Sequence, residues 1–470
     1  MRRTPRRAST ACASLFPFDL ERRRFNLGPP LAARQCRRRA FVTVRATMRA
    51  EAPIATTPTT AGVTMHEESI TTGPAPVPPR LAALRRGLSV HAGAMVDAGA
   101  IGVGLLLTGP DGERLEVVAG VADRATGRAL AADHRYQSGS QTKMLVAAAI
   151  LQLVRDGMLG LDDAVADHLD DIDELTGGAS ITIAQLLTHT SGIGNYTAFL
   201  EGAAAPNDFP WPPPRFSDAE LRVLARTHGV QARPGERMEY NNTGYVLLGQ
   251  IVARATGQSA IAALRSRVLA PLGMTASSFG PVPPDIVARM AAGCYRPSAG
   301  PVREPIDTRA LIGAGWASTA GDMVTTLDDM QRFMRALITP DSGLGIGLAD
   351  LTQRSVPVAQ PESRLFMQTR WGLGISAMPV LDHTVWGHRG GTFGYKSVSS
   401  IDPDSGVGVS IYMTLETAAE RTAIINALAV QMMVMHALAM HGAISAIGRQ
   451  PAPKSPPSPR SGVNPPRAST

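Results

Sequence analysis

Stretches with strand character stand near both ends of this chain's folded part, and the segments between them repeat their apolar residues at helical spacing. Strands so far apart in sequence imply one sheet assembled from distant segments, with a helix-rich middle inserted between them. At the first end, IGVGLLLTGPDGERLEVVAGVAD (101–123) predicts two strands joined around the turn-forming Gly109-Pro110-Asp111-Gly112. At the other end, TVWGHRGG (384–391), YKSVSSID (395–402) and GVGVSIYMTL (406–415) predict three more, the last two linked through Pro403-Asp404-Ser405-Gly406. In the middle, helices are expected over 143–159, over 180–192 from a Ser180 cap, over 244–257 closing on Gly257, and over 322–337. A final helix is expected over 418–447. Its apolar run is long enough to pose the question of a membrane span, but Asn426, Gln431 and His436 interrupt it, and a helix packed on the sheet is the expectation.

Charge narrows the partners. The 470 residues carry a net +7, yet thirteen arginines against Asp19 and Glu21 make the first fifty residues +11, which leaves −4 for the rest. The folded part therefore lacks the basic footprint of a nucleic-acid binder, and no nucleic-acid partner is expected. Residues 1–79 read as a basic arm followed by a Thr/Pro/Ala-rich linker, and 449–470, with seven prolines in 450–470, as a second disordered tail. No apolar core of a signal peptide stands in the arm. Arg22-Arg23 faintly resembles a twin-arginine signal, so localisation stays open between cytoplasm and export. Cys12, Cys36 and Cys294 show no metal-ligand spacing, and GLGIG (343–347) lacks the setting of a nucleotide loop; neither metal nor cofactor is expected. Only three of the 46 basic residues are lysines, Lys143, Lys396 and Lys454, so each merits inspection.

Ser140-Gln141-Thr142-Lys143 opens a predicted helix, where residues three apart share a face and bring a hydroxyl beside an amine. Together with YQSGSQTKMLVAAAILQLVRDGML, ITIAQLLTHTSGIGNY, PGERMEYNNTGYVLLGQIVARATG, GAGWASTAGDM, WGLGI and GHRGGTFGY, in that order, it resembles the serine β-lactamase and DD-peptidase superfamily, in its class C-like branch with esterases and D-aminopeptidases. The resemblance implies an α+β fold: an antiparallel sheet flanked by helices (about 80–137 and 368–448) beside a helical part (about 138–367), with the active site between them and the whole unit spanning 80–448. It also implies an acyl-enzyme on Ser140, with Lys143 or Tyr240 as base. A lysine acting as base near neutral pH needs its pKa lowered by about three units, which burial supplies.

By the same resemblance Asn242 bonds Lys143 and the substrate, and the N–H groups of Ser140 and Gly391 hold the oxyanion. The third motif is His388-Arg389-Gly390. His388 stands where other members carry lysine, and Arg389 replaces a hydroxyl residue that often meets a substrate carboxylate, so Arg389 either binds that anion or faces solvent. His189 is expected in a structural turn, and the loop 203–216 with Trp211 is either a lid or surface covering. Esterase or D-amino-acid peptidase action on a small molecule or peptide is the expectation, with a β-lactamase or D-alanyl-D-alanine carboxypeptidase as the alternative. A non-catalytic binding module is a minor alternative, and the oligomeric state stays open.

Overall fold

Helix α1 (Pro79–Asp97) leads into strands β1 (Gly102–Thr108), β2 (Arg114–Asp123) and β3 (Arg128–Ala129). Helices α2 (Thr142–Arg155), α3 (Asn242–Thr256) and α4 (Leu327–Ala336) lie in the middle of the chain. Strands β4 (Val356–Pro357), β5 (Arg370–Trp371), β6 (Ser376–Val380), β7 (His383–Thr392), β8 (Tyr395–Ile401) and β9 (Gly408–Thr414) follow, and helix α5 (Thr422–Ile447) comes last. This computed structural model describes residues 79–198, 215–280, 282–296, 304–358 and 368–448. The expected arm and linker up to residue 78, the expected tail from 449 and Trp211 lie outside the described residues.

The strands form one antiparallel sheet in the order β3-β2-β1-β9-β8-β7-β6-β5-β4. Its two sequence-distant halves join where β1 meets β9, Gly102 opposite Thr414. Both strands are buried on both faces, which is why they read as unbroken apolar runs rather than alternating ones. On one face Leu105, Leu107, Val409 and Ile411 pack with Leu81 and Leu88 of α1 and Met432, Met435 and Ala439 of α5. On the other, Leu106 and Tyr412 join a larger core around α2. That helix is buried from Thr142 to Leu153, as its nearly all-apolar sequence requires.

Several boundaries differ from expectation, each for a local reason. The helix expected from a Ser180 cap begins at Ile183, because Thr182 forms a capping box with Gln185, and it ends after Leu187 as the chain turns into His189 at φ 59. The helix expected over 322–337 begins at Leu327 under a Thr326 cap, and Val324–Thr325 instead pairs as a strand with Tyr136–Gln137. Helix α1 has no counterpart among the expected elements, since Arg85 and Arg86 break its apolar face. Helix α5 packs on the sheet as expected, and among the described residues it is the helix long and apolar enough to cross a membrane by length and composition.

Candidate active site

The turn Gly139–Gln141 runs straight into α2 and projects Ser140 and Lys143 to the same side. Gly139 takes φ +57, and a Cβ there would lie 2.7 Å from the backbone nitrogen of Gly391, so glycine is required at this approach of turn to strand. Polar bonds fasten the turn on three sides. Ser138 Oγ donates to Met323 O at 3.1 Å, Thr142 Oγ1 to Gly139 O at 2.8 Å, and Ser397 Oγ on β8 to Ser138 O at 2.9 Å.

Ser140 is partly accessible, whereas Lys143 is sealed from solvent. Lys143 Nζ lies 3.2 Å from Ser140 Oγ and donates to Asn242 Oδ1 and to Ala320 O, each at 2.7 Å. No carboxylate pairs with it among the described residues. Burial therefore holds the amine well below its ordinary 10.5. Asn242 presents its oxygen to the lysine because its Nδ2 donates to Thr197 Oγ1 at 3.0 Å. Asn241, next to it, caps α3 by accepting from Gly244 N at 3.0 Å, which fixes where the helix starts and hence where Asn242 points.

Tyr240 closes the other side, with Lys143 Nζ 5.0 Å from its ring centroid. Its hydroxyl oxygen is sealed from solvent without a hydrogen-bond partner among the described residues. Burial raises the phenol above its ordinary 10, against the opposing pull of the Arg389 charge. His388 is brought to the same wall, its ring 6.2 Å from that of Tyr240. Burial, with the nearby Lys143 charge, lowers it to about 3. Its Nδ1 donates to Arg389 O, burial favours the neutral ring, and its buried Nε2 has no partner among the described residues. Arg389 points to the opposite face of β7 from His388, with Gln368 Oε1 at 3.4 Å and no ion pair among the described residues.

Gly390 and Gly391 have distinct reasons for lacking side chains. A Cβ on Gly390 would overlap the carbonyl oxygen of Ser138 and Ser397 Oγ. Gly391 is exposed, and the two-residue turn Phe393-Gly394 makes Thr392 and Tyr395 the closing pair of the β7–β8 hairpin. Alternation along an antiparallel ladder then leaves Gly391 outside the hydrogen-bonded pairs with β8, and its backbone nitrogen lies against Gly139 of the Ser140 turn.

His189, expected in a turn, is there. It is buried at positive φ, accepts from Asn241 N at 3.1 Å, and packs between Tyr240 and Trp371. It positions the Tyr240–Asn242 segment without reaching Ser140. Three residues of the candidate site were not among its expected members: Thr197, Ala320 and Lys396. Only the last carried a signal, the rarity of lysine in this chain.

Two cavities meet at Ser140, Gly391 and Lys396. One, of about 370 Å³, is walled by Tyr196, Trp316 and Phe393. The other, of about 640 Å³, is lined by Tyr240, His388 and Arg389 with Met432 and Met433 of α5. No described carboxylate lines either cavity. Lys396, opposite Gly391 and half-buried, has no ion pair among the described residues, and burial followed by the neighbouring Arg389 charge lowers its pKa.

The fold agrees with three comparisons. The family described as Beta-lactamase matches residues 89–431. Penicillin-binding protein 4 of Amycolatopsis lactamdurans is 32% identical over 305 residues, 63% of this chain and 76% of that relative. Esterase EstB of Burkholderia gladioli is 30% identical over 338 residues, 64% of this chain and 82% of that relative. Among solved structures, the D-amino acid amidase of Ochrobactrum anthropi SV3 complexed with L-phenylalanine amide superposes with a TM-score of 0.63 at 26% identity, covering 76% of this chain and 99% of that one. With a matching family, an antiparallel sheet flanked by helices and hydrolases among its relatives, this chain belongs to the beta-lactamase family and is a serine hydrolase of that family.

Proposed function

We propose that the protein cleaves esters or amides through an acyl-enzyme on Ser140, with Lys143 in its neutral form as the base. One observation carries this reading. The amine has two acceptors at 2.7 Å, Asn242 Oδ1 and Ala320 O, for the two N–H bonds of a neutral Lys143, which leaves its lone pair for the Ser140 hydroxyl at 3.2 Å. Ser140 O–H gives its proton to Nζ as Oγ bonds the acyl carbon, and the carbonyl electron pair moves to oxygen. The N–H groups of Ser140 and Gly391 receive that oxyanion. Collapse expels the leaving group, which takes a proton from Lys143 through the Tyr240 hydroxyl. Water then attacks the acyl-enzyme by the same path in reverse. Tyr240 serves as donor in this scheme, because burial keeps it a phenol.

Charge selects among substrates. Arg389 and Lys396 are cations without ion pairs among the described residues, and no described carboxylate lines the cleft to receive an α-ammonium. The cleft therefore suits a substrate with an anionic group near the scissile bond better than an unblocked amino-acid amide. The same cations favour a second reading, a carboxypeptidase that holds the acidic end of a D-alanyl peptide.

A matched pair of aryl esters tests the charge preference, one leaving group neutral and one bearing a carboxylate. The carboxylate ester is expected to show a kcat/KM roughly tenfold or more higher, the value of one charge-assisted hydrogen bond. Lys396→Met should erase most of that difference while holding the neutral ester within about threefold. An equal loss on both esters would mean that Lys396 does not read the substrate's charge.

A further inference from the structure

Helix α5 does more than cover the sheet. Its inner face, Leu428, Met432, Met435 and Ala439, is buried, yet fewer than half of the residues in its most apolar eighteen-residue window are. Val430 and Leu438 are 55% and 51% exposed, and with Val434 between them they recur every four residues, forming a single outward stripe. Helix α1 lies alongside: His91 Nε2 donates to Gln431 O at 3.0 Å, and Leu84 sits against Gly442. Val90, beside His91, is 75% exposed. The two helices thus lie side by side with Val90 exposed on one and Val430 and Leu438 on the other.

The charge of the α1–α5 face has one sign over most of its length. Helix α5 contains no Asp, Glu, Lys or Arg, and α1 contains Arg80, Arg85, Arg86 and, at its last position, Asp97. Arg80 is paired with Glu113, whereas Arg85 and Arg86 are exposed with no ion pair among the described residues. A second copy laying its α5 on this face would bring no carboxylate to Arg85 and Arg86. Phosphate headgroups would satisfy them, and acyl chains would cover the valines and Leu438. The stripe also continues into the cleft, since Val430 lines the 640 Å³ cavity and Ile425 the 370 Å³ cavity.

We propose that the α1–α5 face rests on an anionic lipid surface, with α5 lying flat and the mouth of the Ser140 cleft held at the bilayer interface. Only the placement of the cleft rests on the catalytic reading; the lipid contact does not.

The test is sedimentation of the full chain with vesicles of phosphatidylglycerol and phosphatidylcholine, and with phosphatidylcholine alone. Wild type is expected to pellet with the anionic vesicles. Val90→Glu/Leu438→Glu should weaken that association by about tenfold or more, while turnover of a soluble ester stays within about twofold. Arg85→Glu/Arg86→Glu, which leaves the apolar stripe intact, should remove the preference for anionic lipid and serves as the second variant if the first fails to fold. Wild type that stays in the supernatant would overturn the proposal. So would variants that bind as wild type does, since the thirteen arginines of residues 1–50 are present in every form and would then be the cause. Sedimentation velocity showing a wild-type dimer that the first variant breaks would assign the face to a second copy. Loss of ester turnover in Ser140→Ala with lipid binding intact separates this contact from the catalytic reading.

Discussion

Lys143→Arg is expected to lower kcat/KM by roughly 10³-fold or more, about as severely as Lys143→Met, although arginine keeps the positive charge. The reason lies in the proposed mechanism, in which Lys143 works as a neutral amine. Its amine is buried with no carboxylate partner among the described residues, which favours the neutral form, and that form can take the Ser140 proton. A guanidinium stays protonated at any pH the fold survives and has no lone pair to offer. The same account fixes the sign of the pH profile. Activity needs Lys143 deprotonated, so kcat/KM should fall as pH drops through a single ionisation placed well below 10.5, and should level off above it. Tyr240, raised above its ordinary 10, contributes no limb in that range as a phenol. An arginine variant with most of the wild-type rate would show that charge, not proton acceptance, is what position 143 supplies. A rate that increases toward acid would contradict the neutral lysine directly.

The second large effect is expected at Gly390. Alanine there drives a methyl group into the Ser138 carbonyl and Ser397 Oγ, both of them held in place by their own bonds. Turn and strand must separate, which moves Ser140 away from Gly391. Overlap with backbone in a buried site costs about 3 kcal/mol or more, equivalent in a chain of this size to roughly 4 °C in Tm. Gly257→Ala is the control. Gly257, unlike Gly390, has positive φ, +65, but a Cβ there meets nothing within 4 Å, so its cost is only the left-handed backbone, about 1 kcal/mol. Thermal melts of the two variants beside wild type decide the matter. A Gly390→Ala protein that melts within about 2 °C of wild type and turns over normally would mean that the strand approaches the turn less closely than the structure has it.

How far the sequence revealed this site depends on whether a residue's role is local. Ser140 and Lys143 were legible because three residues along a helix is a distance that spacing alone dictates. Gly257 was legible for the same reason, a helix stop written in one residue. That one sheet joins both ends of the folded part followed from strand patterns, whereas the pairing of β1 with β9 and their burial on both faces came only with the structure. Thr197 and Ala320 were not legible. One is an ordinary hydroxyl, the other lends a backbone carbonyl, and both matter only because the fold delivers them to Asn242 and Lys143. Tyr240 and Asn242 were located by resemblance, while the structure supplies the physical reason that Asn242 faces the lysine. The choice between Lys143 and Tyr240 as base stayed open in sequence, because it turns on burial and on the lack of a described carboxylate partner.

The central claim is that Ser140 becomes acylated. Intact-protein mass spectrometry tests it after brief exposure to an activated ester, a fluorophosphonate and a penicillin, with wild type and Ser140→Ala in parallel. The account predicts a single adduct on wild type with the ester and the fluorophosphonate, and none on Ser140→Ala. Folded wild-type protein that stays unmodified by all three probes, or adducts that persist in Ser140→Ala, would contradict it.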